Sequence, residues 1–257
     1  MQNTHKPDST TERVAVVTGA GSGIGLSVAR HLAERRHPVA LLDRNGDAVR
    51  DAAEKLRASG TPAVALDVDV TDRAAVDSAL DKVRAELGPI RIMVTSAGIE
   101  GSAPFTDIAL DDWDRILAVN LTGTFHCIQS AVPDMLDAGW GRIVTISSSS
   151  AQSGAPERAH YVASKGGVIA LTKALAFELS PKGITANTIP PSIIDTPMAR
   201  NGGVISEGIK LDDLAGMTPV RRLGTPDDVA AACAFLCTDD AGFITGQVIG
   251  VNGGWYL

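Results

Sequence analysis

Seven short runs rich in β-branched residues punctuate the chain, at Val14–Thr18, Val39–Leu42, Ala63–Leu66, Ile90–Thr95, Arg142–Ile146, Ile184–Ile189 and Gln247–Val251. Between them apolar residues recur at helical spacing, near 24–36, 47–59, 73–87, 111–138, 159–180 and 226–237. Strands apolar along their whole length are suited to burial on both faces, and strand–helix alternation supplies the crossovers that parallel pairing needs. With right-handed crossovers the expected fold class is α/β: a doubly wound, seven-stranded parallel sheet with helices on both faces, in one domain. Residues 1–12 are polar and read as an N-terminal tail, leaving 13–257 as the domain. One long irregular insert, from Pro190 to Pro226, has the length of a binding loop, and its central part, 197–217, is read as a lid.

Composition narrows the function classes. The 257 residues are enough to bury a self-sufficient core. A net charge of −7, from 23 Lys plus Arg against 30 Asp plus Glu, argues against a nucleic-acid partner. No apolar run approaches the roughly 18 residues of a membrane span, so no membrane partner is expected. Three cysteines, Cys127, Cys233 and Cys237, do not make a disulfide framework and suit a reducing, cytoplasmic setting. Cys233 and Cys237 share a helix face but lack a His or a second Cys pair, so no metal site is expected.

The first strand runs into Thr18-Gly19-Ala20-Gly21-Ser22-Gly23-Ile24-Gly25, followed by a helix. Glycines there permit a tight turn and let backbone N–H groups approach a pyrophosphate at the positive end of the helix. The second strand ends in Asp43, eighteen residues beyond Gly25, where a carboxylate accepts hydrogen bonds from an adenosine ribose and repels a 2′-phosphate. Asp43 therefore favours NAD(H), while the neighbouring Arg44 keeps NADP(H) as the alternative. After the third strand, Asp69 and Val70 stand where the adenine would lie, and Asp72 reads as a helix N-cap.

The chemistry is carried by Tyr161-Val-Ala-Ser-Lys165. Tyr and Lys at i and i+4 share a helix face, and a cation beside a phenol favours phenolate, making a usable general acid/base. Thirteen residues upstream, the fifth strand ends in Ser147-Ser-Ser-Ser150, at the edge where open α/β sheets bind ligands. Asn120 sits inside a helical run, where an amide is a mediocre helix former.

Taken together, the glycine motif, Asn120, Ser147-Ser148, Tyr161-Val-Ala-Ser-Lys165 and Thr245-Gly-Gln-Val-Ile-Gly-Val-Asn-Gly-Gly254 resemble the short-chain dehydrogenase/reductase family, a Rossmann-type fold, from about Arg13 to Trp255. The resemblance implies a catalytic tetrad of Asn120, Ser148, Tyr161 and Lys165. Tyr161 would move the alcohol proton, Ser148 would hold the substrate oxygen, Lys165 would hold the nicotinamide ribose, and Asn120 would position a water. It also implies cofactor contacts from Gly19, Ser22, Gly23, Ile24, Asp43, Asp69 and Val70, from Ser96, Ala97 and Gly98, and from Pro191, Ile194 and Thr196. Two departures stand out. The family's Asn-Asn-Ala-Gly reads Thr95-Ser96-Ala97-Gly98, and its Pro-Gly reads Pro191-Ser192, which puts a side chain beside the nicotinamide or substrate pocket.

The lid's Val204, Ile205, Ile209, Leu211 and Leu214 suit a bulky apolar, hydroxysteroid-like carbonyl substrate. The alternative is a 3-oxoacyl-ACP or -CoA reductase using NADPH, with Arg200, Lys210, Arg221 and Arg222 as a local docking patch. A reading from another class is a dinucleotide-binding sensor that performs no chemistry. The resemblance further implies a homotetramer built through the long helices that hold Asn120 and Tyr161.

Overall fold

The computed structural model describes residues 12–203 and 211–257 of the chain. Its strands are β1 (Val14–Thr18), β2 (Val39–Asp43), β3 (Ala63–Asp67), β4 (Ile90–Thr95), β5 (Gly141–Ile146) and β6 (Ile184–Ile189). They form one parallel sheet in the order β3-β2-β1-β4-β5-β6. The chain reverses its direction of travel across the sheet between β1 and β4, and in such sheets ligands bind at that switch point, beyond the carboxyl ends of the strands.

The helices are α1 (Gly23–Glu34), α2 (Gly46–Ala58), α3 (Arg73–Leu87), α4 (Leu110–Leu117), α5 (Gly123–Ala138), α6 (Ser150–Ser153), α7 (Ala159–Leu179), α8 (Leu211–Ala215) and α9 (Pro226–Leu236). Alternation along β1 sets the layering: Ala15 and Val17 join one core with α1, α2 and α9, and Val14 and Val16 join the other with α3, α5 and α7. Fully buried Leu32 of α1 and Leu80 of α3 anchor the two layers, each side chain contributing about 1.5–3 kcal/mol by burial. Asp72 caps α3 by accepting the Ala75 N–H, as its position predicts.

Two elements differ from expectation. The seventh run, Gln247–Val251, lies beside β6 but meets it only through the bridges Thr188–Val248 and Pro191–Val251, so the sheet of the described residues has six strands. Thr188 makes both ladder bonds of its bridge, donating to the Gln247 carbonyl and accepting the Ile249 N–H, but the next donor position is Pro190, which has no N–H; beside them the Asn187 side chain accepts the Gln247 N–H at 3.1 Å and donates to the Ile244 carbonyl at 2.8 Å. The helix expected over 111–138 is divided by a π-helical turn at Ala118–Thr122, which holds Asn120. Of the expected tail only Glu12 is described, and the lid's Val204, Ile205 and Ile209 lie outside the described residues, as does Lys210.

Candidate active site

At the carboxyl edge of the sheet opens a cleft of about 1160 Å³. Its floor at one end is the turn from β1 into α1. Gly19 has φ +65, and a Cβ there would stand 2.7 Å from the Ala97 amide nitrogen. A Cβ on Gly25 would strike the Gly19 carbonyl. Backbone alone can fill this corner. The N-terminus of α1 carries no acidic residue in its first turn, and Ser22 makes no side-chain cap bond, so the positive helix end is left for an anionic group from outside. This cradle fits a pyrophosphate. Gly19, Ser22, Gly23 and Ile24 all face the cleft.

Farther along the same cleft stand Asp43, Asp69 and Val70. Asp43 Oδ2 accepts the Gly21 N–H at 3.0 Å and Oδ1 the Asn45 N–H at 2.9 Å, which ties the end of β2 to the glycine turn. Asp69 accepts both the N–H and the hydroxyl of Thr71, and these bonds hold its carboxyl below its usual range. Arg44 lines the cleft next to Asp43. Ser96, Ala97 and Gly98 follow β4, and the Ser96 and Ala97 amides both donate to Thr18 Oγ1 at 3.1 Å. Thr95, in place of the expected amide, has a buried hydroxyl with no hydrogen-bond partner.

Beyond β6, Pro191, Ser192, Ile194 and Thr196 line the opposite wall. Thr196 lies against Gly23, where an added Cβ would stand 3.3 Å from its Cγ2. Ser192 does not spend its proton on the cleft: its hydroxyl donates to the Asn252 carbonyl at 3.0 Å and ties that residue to the segment after β6.

The chemical end of the cleft gathers Ser148, Tyr161 and Lys165. The serine run separates by hydrogen bonding. Ser147 Oγ donates to the Lys165 carbonyl at 2.9 Å, whereas Ser148 turns into the cleft and donates toward the Tyr161 phenol oxygen. Lys165 is buried, and its Nζ donates to the Ile146 carbonyl at 2.9 Å. Burial lowers its pKa to about 8. Asn120 lies behind this group, fully buried, bonded to the Ile99 backbone and to Ser164 Oγ.

One expectation about charge is corrected here. The i, i+4 spacing predicts that Lys165 lowers the Tyr161 pKa, yet that pKa is raised by burial of the phenol. The groups working in the opposite direction are the Ser148 hydroxyl and the Arg158 guanidinium, with Lys165 turned to the Ile146 carbonyl instead. Sequence reading also passed over Arg158 and Glu100, which line the cleft as an ion pair of 2.7 Å. A charge three residues before the tyrosine was the available signal.

The expected docking patch is largely spent. Arg200 makes a two-pronged ion pair with Asp195, and Arg222 makes another with Asp228. From the lid, Met198 and Leu214 reach the cleft wall. No group of three or more His, Cys, Asp or Glu side chains among the described residues is placed to hold a metal, and no described helix is long and apolar enough to cross a membrane.

Comparison with known proteins assigns this arrangement to a family. A family model described as Enoyl-(Acyl carrier protein) reductase matches residues 19–256. The chain is 41% identical over 245 residues to the acetoacetyl-CoA reductase of Rhizobium meliloti (strain 1021), covering 95% of this chain and 99% of that protein. It is 37% identical over 245 residues to the D-threitol dehydrogenase of Mycolicibacterium smegmatis, covering 95% and 93%. The crystal structure of a gluconate 5-dehydrogenase from Burkholderia cenocepacia J2315 in complex with NADP and tartrate superposes with a TM-score of 0.87 at 35% identity, covering 94% of each chain. With its parallel sheet, glycine cradle and near full-length likeness, the chain belongs to the short-chain dehydrogenase/reductase family, oxidoreductases of CH–OH and keto groups that use nicotinamide dinucleotides.

Proposed function

We propose that the chain interconverts a secondary alcohol and a ketone, with Tyr161 as the proton donor or acceptor. The observation that carries this is the convergence of Ser148, Tyr161 and Lys165 in one cleft with the glycine cradle of α1. When bound, a nicotinamide dinucleotide supplies or takes up the hydride. The Tyr161 phenol gives its proton to the developing alkoxide, or removes it in the reverse direction. Ser148 donates to the same oxygen and keeps the carbonyl in line. Lys165 would hold the nicotinamide ribose, and Asn120 would position a water that relays protons to bulk.

For the dinucleotide the reading is NAD(H). Asp43 is held at the end of β2 by two backbone N–H groups, and a fixed carboxylate there repels a 2′-phosphate. The NADP in the gluconate 5-dehydrogenase structure and Arg44 beside Asp43 support the opposite preference.

For the substrate, the likeness to acetoacetyl-CoA reductase supports a short 3-oxoacyl thioester. It replaces the bulky apolar carbonyl expected from the lid, for which the relatives give no support. A polyhydroxy alcohol is the second reading, supported by the names of the threitol and gluconate enzymes and by the polar lining of Ser102, Arg115, Glu157 and Arg158.

Initial rates of NADH and NADPH oxidation with acetoacetyl-CoA and longer 3-oxoacyl thioesters, beside NAD⁺ and NADP⁺ reduction with threitol and gluconate, test all three points. Turnover confined to the polyols selects the second reading. Dinucleotide binding without turnover on any ketone or alcohol selects the sensor.

A tetramer of this chain is proposed too, supported by Phe125 on α5 and Phe177 on α7, which stand 41% and 91% exposed. Light scattering that gives a monomer across micromolar dilution overturns it. The three unpaired, buried thiols support a reducing, cytoplasmic location.

A further inference from the structure

Arg158 and Glu100 occupy a place that the tetrad leaves unexplained. Arg158 precedes α7, and its guanidinium carbon stands 5.2 Å from the centre of the Tyr161 ring. Glu100, in the segment after β4, accepts from Arg158 Nη2 at 2.7 Å. The two side chains are only 12% and 14% exposed, so this is a largely desolvated pair inside the cleft and not a solvated surface bridge. The backbone is built to hold it. Glu157 takes the left-handed conformation at φ +58, and its carbonyl accepts the Ala103 N–H at 2.8 Å, locking the approach to Arg158 against the segment that carries Glu100.

Around Tyr161, from α7 comes Lys165, buried and bonded to the Ile146 carbonyl. From the end of β5 comes the Ser148 hydroxyl. Arg115 of α4 and Glu157 line the same cleft, Arg115 being ion-paired to Asp112. Arg158 over the ring face and Glu100 behind it are the charges acting on the phenol, with opposite signs.

We propose that Arg158 is a positioning residue that biases Tyr161 toward its phenolate, and that Glu100 both aims the guanidinium and restrains its charge. The pair acts through Tyr161, so the inference rests on the proton-transfer role proposed for that residue. Because the two charges have opposite sign, their removal has opposite consequences. Loss of Arg158 makes Tyr161 harder to deprotonate. Loss of Glu100 leaves the guanidinium unbalanced and makes it easier.

The test uses the full chain in two measurements. The first is the pH dependence of kcat/KM for alcohol oxidation with NAD⁺, whose acidic limb follows the base. The second is the ultraviolet titration of tyrosinate in a Tyr256→Phe background, which leaves Tyr161 as the single tyrosine because the chain has two. The expected result is a shift of about one pH unit upward in both curves for Arg158→Gln and a shift of similar size downward for Glu100→Gln. Arg158→Lys, which keeps the charge, returns both curves toward the starting position, and the double variant lies between the singles. Shifts of the same sign for the two singles, unmoved curves, or failure of Arg158→Lys to recover overturn the inference. Tyr161→Phe separates this from failure of the underlying reading. If that variant still turns over, the role of Tyr161 itself is wrong. If it is inactive and the Arg158 and Glu100 curves do not move, only the pair's role falls.

Discussion

The Asn120 carboxamide answers both backbone groups of Ile99: its Oδ1 accepts the Ile99 N–H at 2.8 Å and its Nδ2 donates to the Ile99 carbonyl at 2.9 Å. The same Nδ2 donates to Ser164 Oγ at 3.0 Å, and Ser164 Oγ donates to the Tyr161 carbonyl at 2.7 Å. One side chain in a π-helical turn thus joins the segment after β4 to the first turn of α7. Asn120 is a clamp on the walls of the site as well as a member of the proposed relay.

Asn120→Ala removes that clamp and leaves two partly buried backbone groups without their side-chain partner. The expected loss of stability is about 1–3 kcal/mol. Slackened walls around Ser148 and Tyr161 are expected to lower kcat by about a hundredfold. Thermal melting and steady-state kinetics on the same preparation check the pair of effects, and an unchanged melting curve with unchanged kcat contradicts the clamp.

Asp43→Ser tests the dinucleotide reading. The substitution removes the charge facing a 2′-phosphate while keeping a small hydroxyl for the ribose, and Arg44 remains beside it to meet the phosphate. The ratio of kcat/KM for NADPH to that for NADH is expected to rise by about tenfold or more, since close like-charge opposition costs several kcal/mol. A wild-type enzyme that already prefers NADPH refutes the reading before the variant is made.

Much of this was legible in the sequence because backbone geometry and hydrophobic period are local. The six ladder strands and the caps follow from apolar runs and from residues such as Asp72, whose role needs only its own helix. The glycine cradle was legible for the same reason. What escaped depends on side chains that reach across the fold. Asn187 uses its amide to satisfy Gln247 and Ile244, beside the two backbone bonds that Thr188 makes to the last apolar run. Spacing placed Lys165 beside Tyr161, but its ammonium follows the Ile146 carbonyl, a partner on another element nineteen positions away. Arg158 meets Glu100 across 58 positions, and no local pattern announces that pair.

Gly25→Ala probes the phosphate end. The added methyl lands on the Gly19 carbonyl, so either the turn opens or α1 moves off β1. The expected outcome is loss of dinucleotide binding together with a lower melting temperature, because the clash is with backbone and no side chain can rotate away. Isothermal titration with NADH and thermal melting check it. Binding at wild-type strength means that the turn is not packed as described.

The pH dependence of stability turns on His37, far from the cleft. It is buried, and its Nδ1 accepts the Arg13 N–H at 3.3 Å, a bond available only to the neutral ring. Burial, reinforced by Arg13 and Arg35 nearby, lowers its pKa from 6.5 to about 4. Between those values the unfolded chain takes up a proton that the folded chain refuses. Stability from this group is therefore complete above pH 6.5 and is lost progressively as the pH falls toward 4. His37→Asn keeps an acceptor for the Arg13 N–H and removes the titration. Its melting temperature is expected to fall less steeply than that of the wild type across this interval, while the two curves run parallel above neutrality. Parallel curves throughout mean that His37 is protonated in the folded protein, and the neutral-ring bond to Arg13 is then wrong.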